Sequence, residues 1–179
     1  MSEANTPEAG LPALVKLEAR LATLEDRLAI LDVLAALPHS SDVGDQEFQN
    51  LIYHDECIMD RDNSGALVTG KAAIVGILAS PPHKSAQEAG MVHFAGLPHI
   101  CIDGDSAVAT GYLQVVVPLS AGPGPELSGY GQAAGLAIWR LTANRWELQK
   151  FDGSWRIMRR IIRSVPSEGS RQIIAENLR

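Results

Sequence analysis

The stretch from Met91 to Val117 constrains the fold more than any other part of the chain. Two apolar segments are joined there by Asp103-Gly104-Asp105, and such a turn between strand-forming runs is typical of an antiparallel hairpin. One histidine, His93, lies among apolar neighbours near the start of the first segment. Because a buried, unpaired imidazole is energetically costly, His93 must be either a hydrogen-bonded core residue or a group that does chemistry.

Length and composition indicate one globular domain. The 179 residues are 46% hydrophobic and 20% charged, which predicts a single domain over residues 11–179. Residues 1–10 are polar and contain Pro7 and Gly10, which predicts a disordered lead-in. A net charge of −6 argues against nucleic acid as a partner. No apolar run is long enough to span a membrane, and the first residues lack a secretory pattern, so we expect a cytoplasmic protein.

A leucine repeat marks the first helix. The repeat alternates steps of three and four residues, which is a heptad pattern: Leu14, Leu17, Leu21, Leu24, Leu28 and Leu31. Leu34 and Leu37 widen the apolar face until Pro38, where we expect the helix to end. The repeat either pairs with another subunit, giving a homodimer or homotrimer, or belongs to a plain amphipathic helix.

The remaining pattern places short helices and strands before long antiparallel strands. Asp45 is expected to cap a helix over residues 46–53, and Gly70 to open a helix reaching residue 79. Strands are predicted at 57–60, 66–69, 130–151 and 155–165, with turns at 63–65 and 152–153. Polar or Pro/Gly-rich loops are predicted at 81–90 and 118–129, and Ser167 is expected to cap a helix over 168–178. This order predicts an α+β fold with helices on one face of a curved sheet.

Several local signatures together resemble the SnoaL-like branch of the NTF2-like superfamily. They are, in chain order, Ser41-Asp42-Val43-Gly44-Asp45, Phe48 to Asp55, Gly70-Lys71-Ala72-Ala73-Ile74, His93-Phe94, Ile102 to Ala107, and Trp146 to Ile157. The resemblance covers roughly residues 24–165. It implies a cone of curved antiparallel or mixed sheet, wrapped around a pocket and covered by the N-terminal helices.

The resemblance also implies a range of activities. The family includes dehydratases, dehydrochlorinases, isomerases, epoxide hydrolases, cyclases and C–C lyases, as well as proteins without catalytic activity, so the fold does not decide the function. Asp42 and His93 match the positions of an Asp–His pair in dehydrochlorinase- and dehydratase-like members. At the position where bile-acid dehydratases would carry a further acidic group, this sequence has Val115, Val116 and Val117. This difference argues against a separate carboxylic acid that protonates the leaving group.

The residue types suit proton abstraction from carbon. A carboxylate bonded to one imidazole nitrogen fixes the tautomer and stabilises the imidazolium that forms. We therefore assign His93 as general base and Asp42 as its orienting partner. Elimination, isomerisation and retro-aldol cleavage could all use this base. The alternative interpretations are a structural His93 and an Asp42 that only caps a turn.

Eight further residues are candidates for substrate binding. They are Tyr53, Phe94, Leu97, His99, Leu113, Val115, Trp139 and Arg159. Tyr53 and Trp139 could instead pack in the core or at an interface. Either Arg159 or Arg163 could reach the pocket as an oxyanion partner, with an exposed salt bridge as the alternative. Gly96 and Pro98 suggest a bulge that could turn His99 away.

The sequence shows neither a metal-ligand cluster nor a phosphate loop, and the proposed chemistry needs no cofactor. We predict a cofactor-independent lyase acting on a small, apolar, aromatic or alicyclic molecule. The alternatives are an isomerase or epoxide hydrolase of the same fold, and a non-catalytic ligand-binding or dimerisation module.

Overall fold

The computed structural model describes residues 11–62, 67–127 and 131–178, which fold into an α+β structure. The described residues form five α-helices: α1 Leu11–Val43, α2 Gln46–Ile52, α3 Lys71–Gly76, α4 Pro81–Glu88 and α5 Glu168–Ala175. A 3₁₀ turn, Ile77–Ala79, connects α3 to α4. Within these ranges, none of the helices combines the length and hydropathy needed to cross a lipid bilayer.

Seven strands form one curved, mixed sheet within the described ranges. They are β1 Tyr53–Arg61, β2 Val68–Thr69, β3 Val92–Ala95, β4 His99–Asp103, β5 Ser106–Leu127, β6 Gly131–Phe151 and β7 Ser154–Ser164. The strand order is β2-β1-β7-β6-β5-β3, and β4 also pairs with β5. Only the β1–β7 pairing is parallel within the described sheet. The predicted α+β class and curved mixed sheet are confirmed.

The hairpin predicted between residues 91 and 117 is present, although its first arm is interrupted. β4 and β5 meet at a two-residue turn, where Asp103 pairs with Ser106 and Gly104 has a φ of +56°. That left-handed conformation explains why a glycine occupies the turn. β3 pairs with the distal part of β5, so that His93 lies opposite Val115. The hairpin therefore carries His93 onto the sheet.

Two β-bulges decide which side chains face the inside of the sheet. Between β5 and β6, Val115 pairs with Arg140 and Val116 with Ile138, which leaves Trp139 as the extra residue. Between β6 and β7, the register shift leaves Met158 unpaired. Because strand side chains alternate between faces, each extra residue inverts the alternation beyond it.

The first helix does not end where the sequence predicted. α1 continues through Pro38 to Val43, so the prediction that Pro38 ends it is wrong. Pro38 is buried, and the hydroxyls of Ser40 and Ser41 both donate to the Leu37 carbonyl, at 2.7 and 3.0 Å. Tertiary packing and these bonds outweigh the loss of one backbone donor at proline. Asp42 therefore lies in the last helical turn rather than in a loop.

Two predicted loops are regular structure. Residues 81–88 form α4, in which Ser80 accepts a bond from the His83 N–H at 3.4 Å. Pro81 and Pro82 fall in its first turn, where a missing N–H costs nothing, so they start a helix rather than prevent one. Most of the predicted loop 118–129 is strand β5, which runs to Leu127. The predicted lead-in at 1–10 and turn at 63–65, like residues 128–130, lie outside the described residues.

The helix caps agree with the sequence. Asp45 caps α2 by accepting the Phe48 N–H at 2.9 Å. Ser167 and Ser170 form a reciprocal capping box at the start of α5. α5 ends at Ala175 rather than at the predicted Leu178. Local side-chain chemistry thus fixes where these helices begin.

The hydrophobic core lies between the second half of α1 and the sheet. Ile30, Leu34 and Leu37 of α1 are at most 4% exposed, and they pack in a cluster with Trp146 and Ile157 of the sheet. In the first half of α1, none of the described side chains is buried. Within the described chain, the hydrophobic core therefore packs against the C-terminal half of α1 only.

Replacing Leu37 with alanine is expected to lower the free energy of unfolding by about 2–5 kcal/mol, because this side chain is 1% exposed and its loss leaves a cavity. Leu51→Ala is the matched control, since Leu51 is 71% exposed. Its expected effect is within about 0.5 kcal/mol of zero. Urea denaturation measures both, and equal effects would contradict the assignment of the core.

Candidate active site

An inner cavity of about 170 Å³ opens between the concave face of the sheet and the helical segment from α3 to α4. Apolar side chains form much of its wall: Tyr53, Met59, Ile74, Leu78, Leu113 and Val115. Two histidines and three arginines also line it: His83, His93, Arg61, Arg140 and Arg160. The cavity therefore combines an apolar wall with positive charge.

Asp42 and His93 meet at the edge of this cavity. The Asp42 Oδ1 atom lies 2.6 Å from the His93 Nδ1 atom. The His93 backbone N–H also points at both carboxylate oxygens, each at 3.0 Å. One carboxylate thus holds both the main chain and the ring of His93, and each side chain remains 17% exposed.

This geometry defines the tautomer of the neutral ring. An ionised carboxylate only accepts hydrogen bonds, so His93 Nδ1 must carry the hydrogen that it donates to Asp42. The Nε2 atom then carries the lone pair. Among the described residues Nε2 has no hydrogen-bond partner, so it is free to accept a proton from a ligand.

Burial lowers the pKa of His93 below its ordinary value. Desolvation is the largest cause, and it outweighs the opposing effect of the Asp42 hydrogen bond and charge. The positive charge of Arg160 and the neighbouring His83 ring lower this pKa further. The neutral form of the ring, which can act as a base, is therefore favoured at pH values above 6.5.

Arg160 brings a positive charge to the cavity wall. Its Nε and Nη2 atoms donate to the Asn144 Oδ1 atom at 3.1 and 2.9 Å, and its guanidinium lies 5.7 Å from the centre of the Trp146 ring. Asn144 is fully buried, and its amide donates in turn to Thr142 Oγ1 at 2.9 Å. Within the described chain no carboxylate pairs with Arg160, so its charge is held in place but not neutralised.

Tyr53 contributes a hydroxyl to the same wall. Its side chain is 1% exposed, and burial raises the pKa of the phenol, while the nearby Arg160 opposes that rise. The phenol is therefore neutral at physiological pH. It can donate a hydrogen bond to a ligand but cannot act as a base there.

A second histidine, His83, faces the cavity from α4. Its Nε2 atom lies 2.8 Å from the Ser41 carbonyl oxygen, which can only accept, so Nε2 carries a hydrogen. The His83 and His93 rings are stacked with centroids 6.5 Å apart. Gln87, one turn later, donates to the Ser41 and Asp42 carbonyls at 2.9 and 2.8 Å. α4 is thereby fastened to the helical turn that carries Asp42.

The structure brings together five of the ten predicted site residues. Asp42 contacts His93, and His93 lines the inner cavity together with Tyr53, Leu113 and Val115. Phe94 and Leu97 instead line a second cavity of about 450 Å³ between α1 and β3, which His93 also borders. Phe94 is 65% exposed and Leu97 is 93% exposed, so they lie at its rim.

Three predicted site residues lie away from both cavities. His99 contacts Asn177, and Trp139 is 67% exposed at its bulge. Arg159 pairs with Asp60 at 3.4 Å, and Arg163 also pairs with Asp60, at 3.0 Å. The Met158 bulge explains why Arg159 and Arg163 do not face the cavity, because it moves both side chains to the face opposite Trp155 and turns Arg160 inward.

Sequence reasoning missed His83, Asn144 and Arg160 as site residues. His83 falls within the predicted loop 81–90, although Ser80 followed by two prolines is an N-terminal helix signal that would place it on a helix. Asn144, a polar residue within an otherwise strand-like run, was a visible signal of a buried polar contact. Arg160 had no such signal, because no residue type marks the bulge.

Comparison with protein families agrees with this geometry. A family model described as the SnoaL-like domain matches residues 22–161, which is most of the chain and includes every residue lining the inner cavity except Ile162. The chain belongs to the SnoaL-like domain family. No curated protein matches its sequence significantly.

Solved structures place this SnoaL-like protein within the NTF2-like superfamily. An NTF2-like protein with a cystatin-like fold from Novosphingobium aromaticivorans is 26% identical, with a TM-score of 0.77 over 90% of this chain and 96% of that one. A hexachlorocyclohexane dehydrochlorinase of type 3 from Novosphingobium barchaimii is 14% identical, with a TM-score of 0.63 over 82% and 90%. A scytalone dehydratase-like protein from N. aromaticivorans is 15% identical, with a TM-score of 0.59 over 80% and 87%. The predicted superfamily is confirmed, and the last two likenesses show a shared fold.

The His93 ring is expected to titrate below pH 6.5 when followed by NMR of its ring carbons and nitrogens, because burial disfavours the charged form. Asp42→Asn removes a carboxylate that raises this pKa, so the midpoint should fall further. His54→Gln, at a histidine stacked on Phe151, is the control and should leave the His93 midpoint unchanged. A midpoint above 6.5 in the wild type would contradict the dominance of burial.

Proposed function

We propose that this SnoaL-like protein is a cofactor-independent lyase in which His93 removes a proton from carbon. The observation that supports this most is the pair of contacts from Asp42 to the His93 ring and backbone, which leave Nε2 as a free, uncharged acceptor beside a cavity. A base orientated in this way typically contributes a factor of about 100 to 10,000 to the rate.

The elimination step balances within the substrate. His93 Nε2 takes the proton, the C–H electron pair becomes the new C=C bond, and the leaving group departs with its own bonding pair. The imidazolium that forms is stabilised by Asp42 through the 2.6 Å contact at Nδ1. The proton is later released to solvent through the partly exposed pair.

Arg160 is our candidate for stabilising the departing charge. Its hydrogen bonds go to the neutral amide of Asn144, so its positive charge remains available to an anion in the cavity. Fixed charges aimed at the position where charge develops are often the largest single term in enzymatic rate acceleration. Because no carboxylic acid lies among the described cavity residues, a leaving group that departs as an anion fits this site best.

The cavity suits a small, largely apolar substrate. An engineered cavity of about 150 Å³ in another protein accommodates benzene, so an inner cavity of about 170 Å³ has room for a single six-membered ring. The apolar wall favours a ring with few polar groups, and Tyr53 can donate one hydrogen bond. We therefore propose an alicyclic or aromatic substrate that carries an electronegative leaving group beside an acidic C–H bond.

Two proteins of similar structure support a lyase as the class of reaction. The dehydrochlorinase and the scytalone dehydratase-like protein share this fold, and their names describe elimination reactions. An isomerase of the same fold would use the same base but return the proton to another carbon. Release of a leaving group distinguishes the two, because an isomerisation releases none.

A panel of halogenated and hydroxylated six-membered rings should include compounds that the protein converts with release of halide or water. His93→Ala and Asp42→Asn are expected to lower kcat by at least about 100-fold, because the first removes the base and the second removes the carboxylate that orientates it. His54→Ala is the matched control outside the cavity and should keep full activity. Retained turnover in His93→Ala, with folding confirmed by circular dichroism, would refute the base assignment.

The pH dependence of kcat/KM should rise through a pKa below 6.5, since the base must be neutral and burial lowers its pKa. Arg160→Gln removes a charge that lowers this pKa, so the acid limb should move to higher pH while kcat falls. Arg145→Gln, at an arginine paired with Glu147 outside the inner cavity, is the control for charge removal. An acid limb that stays in place in Arg160→Gln would contradict this electrostatic role.

A further inference from the structure

The first half of α1 carries an unpartnered apolar stripe. We call it the leucine seam: Leu14, Leu17, Leu21, Leu24 and Leu28, which are between 52% and 60% exposed. Leucine side chains at this spacing occupy positions a and d of a heptad repeat. Leaving this much apolar surface in contact with water costs free energy, and an isolated helix is only marginally stable in water.

The leucine seam lies on a different side of α1 from the core residues of the same helix. At about 100° per residue, its midline lies roughly 150° around the helix from the line of Ile30, Leu34 and Leu37, which are buried in the core. Three exposed residues continue the direction of the leucine seam and border the second cavity of the same domain: Asp32, Ala35 and His39. A second helix could therefore lie along the leucine seam, from Leu14 to Leu28, without displacing the core residues of α1.

The charges that flank the leucine seam are complementary to those of a parallel copy. Glu18 and Glu25 follow d positions and occupy e, whereas Arg20 and Arg27 precede a positions and occupy g. In a parallel pair, g of one helix faces e of the next heptad in its partner, so Arg20 would face Glu25. An antiparallel pair would instead bring like charges together, which is unfavourable.

The charges at the centre are free to make that contact. Arg20 and Glu25 are exposed, and neither forms an ion pair within the described part of the chain; Lys150 acts on Glu25 only at longer range. Arg27 is partly engaged, because its Nη1 atom donates to the Ile100 carbonyl at 3.2 Å. The decisive contact is therefore the one between Arg20 and Glu25.

We infer that the leucine seam is the docking surface for the same seam of a second copy, aligned in parallel and in register. The inference does not depend on the proposed lyase activity. The occupant is a second copy rather than another protein, because the pattern of e and g charges complements itself in one orientation. Leu14 would then contact Leu14, and Leu21 would contact Leu21, across the interface.

Sedimentation equilibrium of the full chain tests the association. The Leu21→Glu/Leu24→Glu variant is expected to have about half the mass of the wild type, because two charges replace the centre of the interface. Ala19→Glu, at an exposed position on the opposite side of α1, is the matched control and should keep the wild-type mass. A wild type that is monomeric, or a double variant with unchanged mass, would overturn the inference.

Two single charge reversals test the orientation without touching the core. Arg20→Glu and Glu25→Arg should each weaken association, because each places like charges opposite one another in a parallel pair. An equimolar mixture of the two variants should restore association, since one helix then carries acidic side chains at both positions and its partner carries basic ones. Both positions are exposed, so the fold should be unaffected. Failure of the mixture to associate more strongly than either variant alone would contradict parallel pairing.

Cysteine cross-linking tests the register. In a Cys101→Ser background, which removes the exposed native thiol, Leu14→Cys should form disulfide-linked dimers on mild oxidation. Ala19→Cys should not, because its side chain points away from the partner. An antiparallel arrangement places a positions opposite d positions, which would bring Leu17 near Leu28 of the other copy. Leu14→Cys alone would then not cross-link whereas a Leu17→Cys/Leu28→Cys chain would, and that result would overturn the inference.

Discussion

The contact between Asp42 and His93 joins the end of the longest described helix to the edge strand of the sheet. It depends on a helix that runs through a proline, because Pro38 must be accommodated before Asp42 can reach β3. The carboxylate accepts bonds from both the backbone and the ring of His93, so strand position and ring orientation are fixed together. The geometry of the candidate base and the packing of α1 on β3 are therefore one structural feature.

The sequence predicted this contact but not its surroundings. Local patterns predicted the hairpin and the caps at Asp45 and Ser167, since turn and cap chemistry act over a few residues. The family resemblance predicted the pairing of Asp42 with His93. The sequence could not predict that Arg160 faces the cavity, because this orientation depends on one unpaired residue in β7 that only the β6–β7 register reveals. The prediction that the first helix ends at its proline was wrong because packing outweighs local propensity.

The electrostatic balance of the cavity favours one kind of reaction. One carboxylate, Asp42, faces His93, while Arg160 keeps its charge and is held by a neutral amide. Burial and the nearby charge of Arg160 favour the neutral form of His93, and the same charge favours an anion that leaves. If Asn144 were an aspartate, it would neutralise Arg160 and raise the pKa of His93. In the proposed mechanism, the neutral amide thus preserves both the candidate base and the charge that would stabilise a leaving anion.

α1 also connects the two proposals physically. The leucine seam and Asp42 lie on one continuous helix, which the core holds at Ile30, Leu34 and Leu37 between them. Pairing along the leucine seam would restrict motion of the free half of the helix without contacting the Asp42–His93 pair. Because the core anchors the helix between the two regions, loss of pairing should leave the 2.6 Å contact intact. Assembly and catalysis are therefore separable, and one seam variant can be assayed for both.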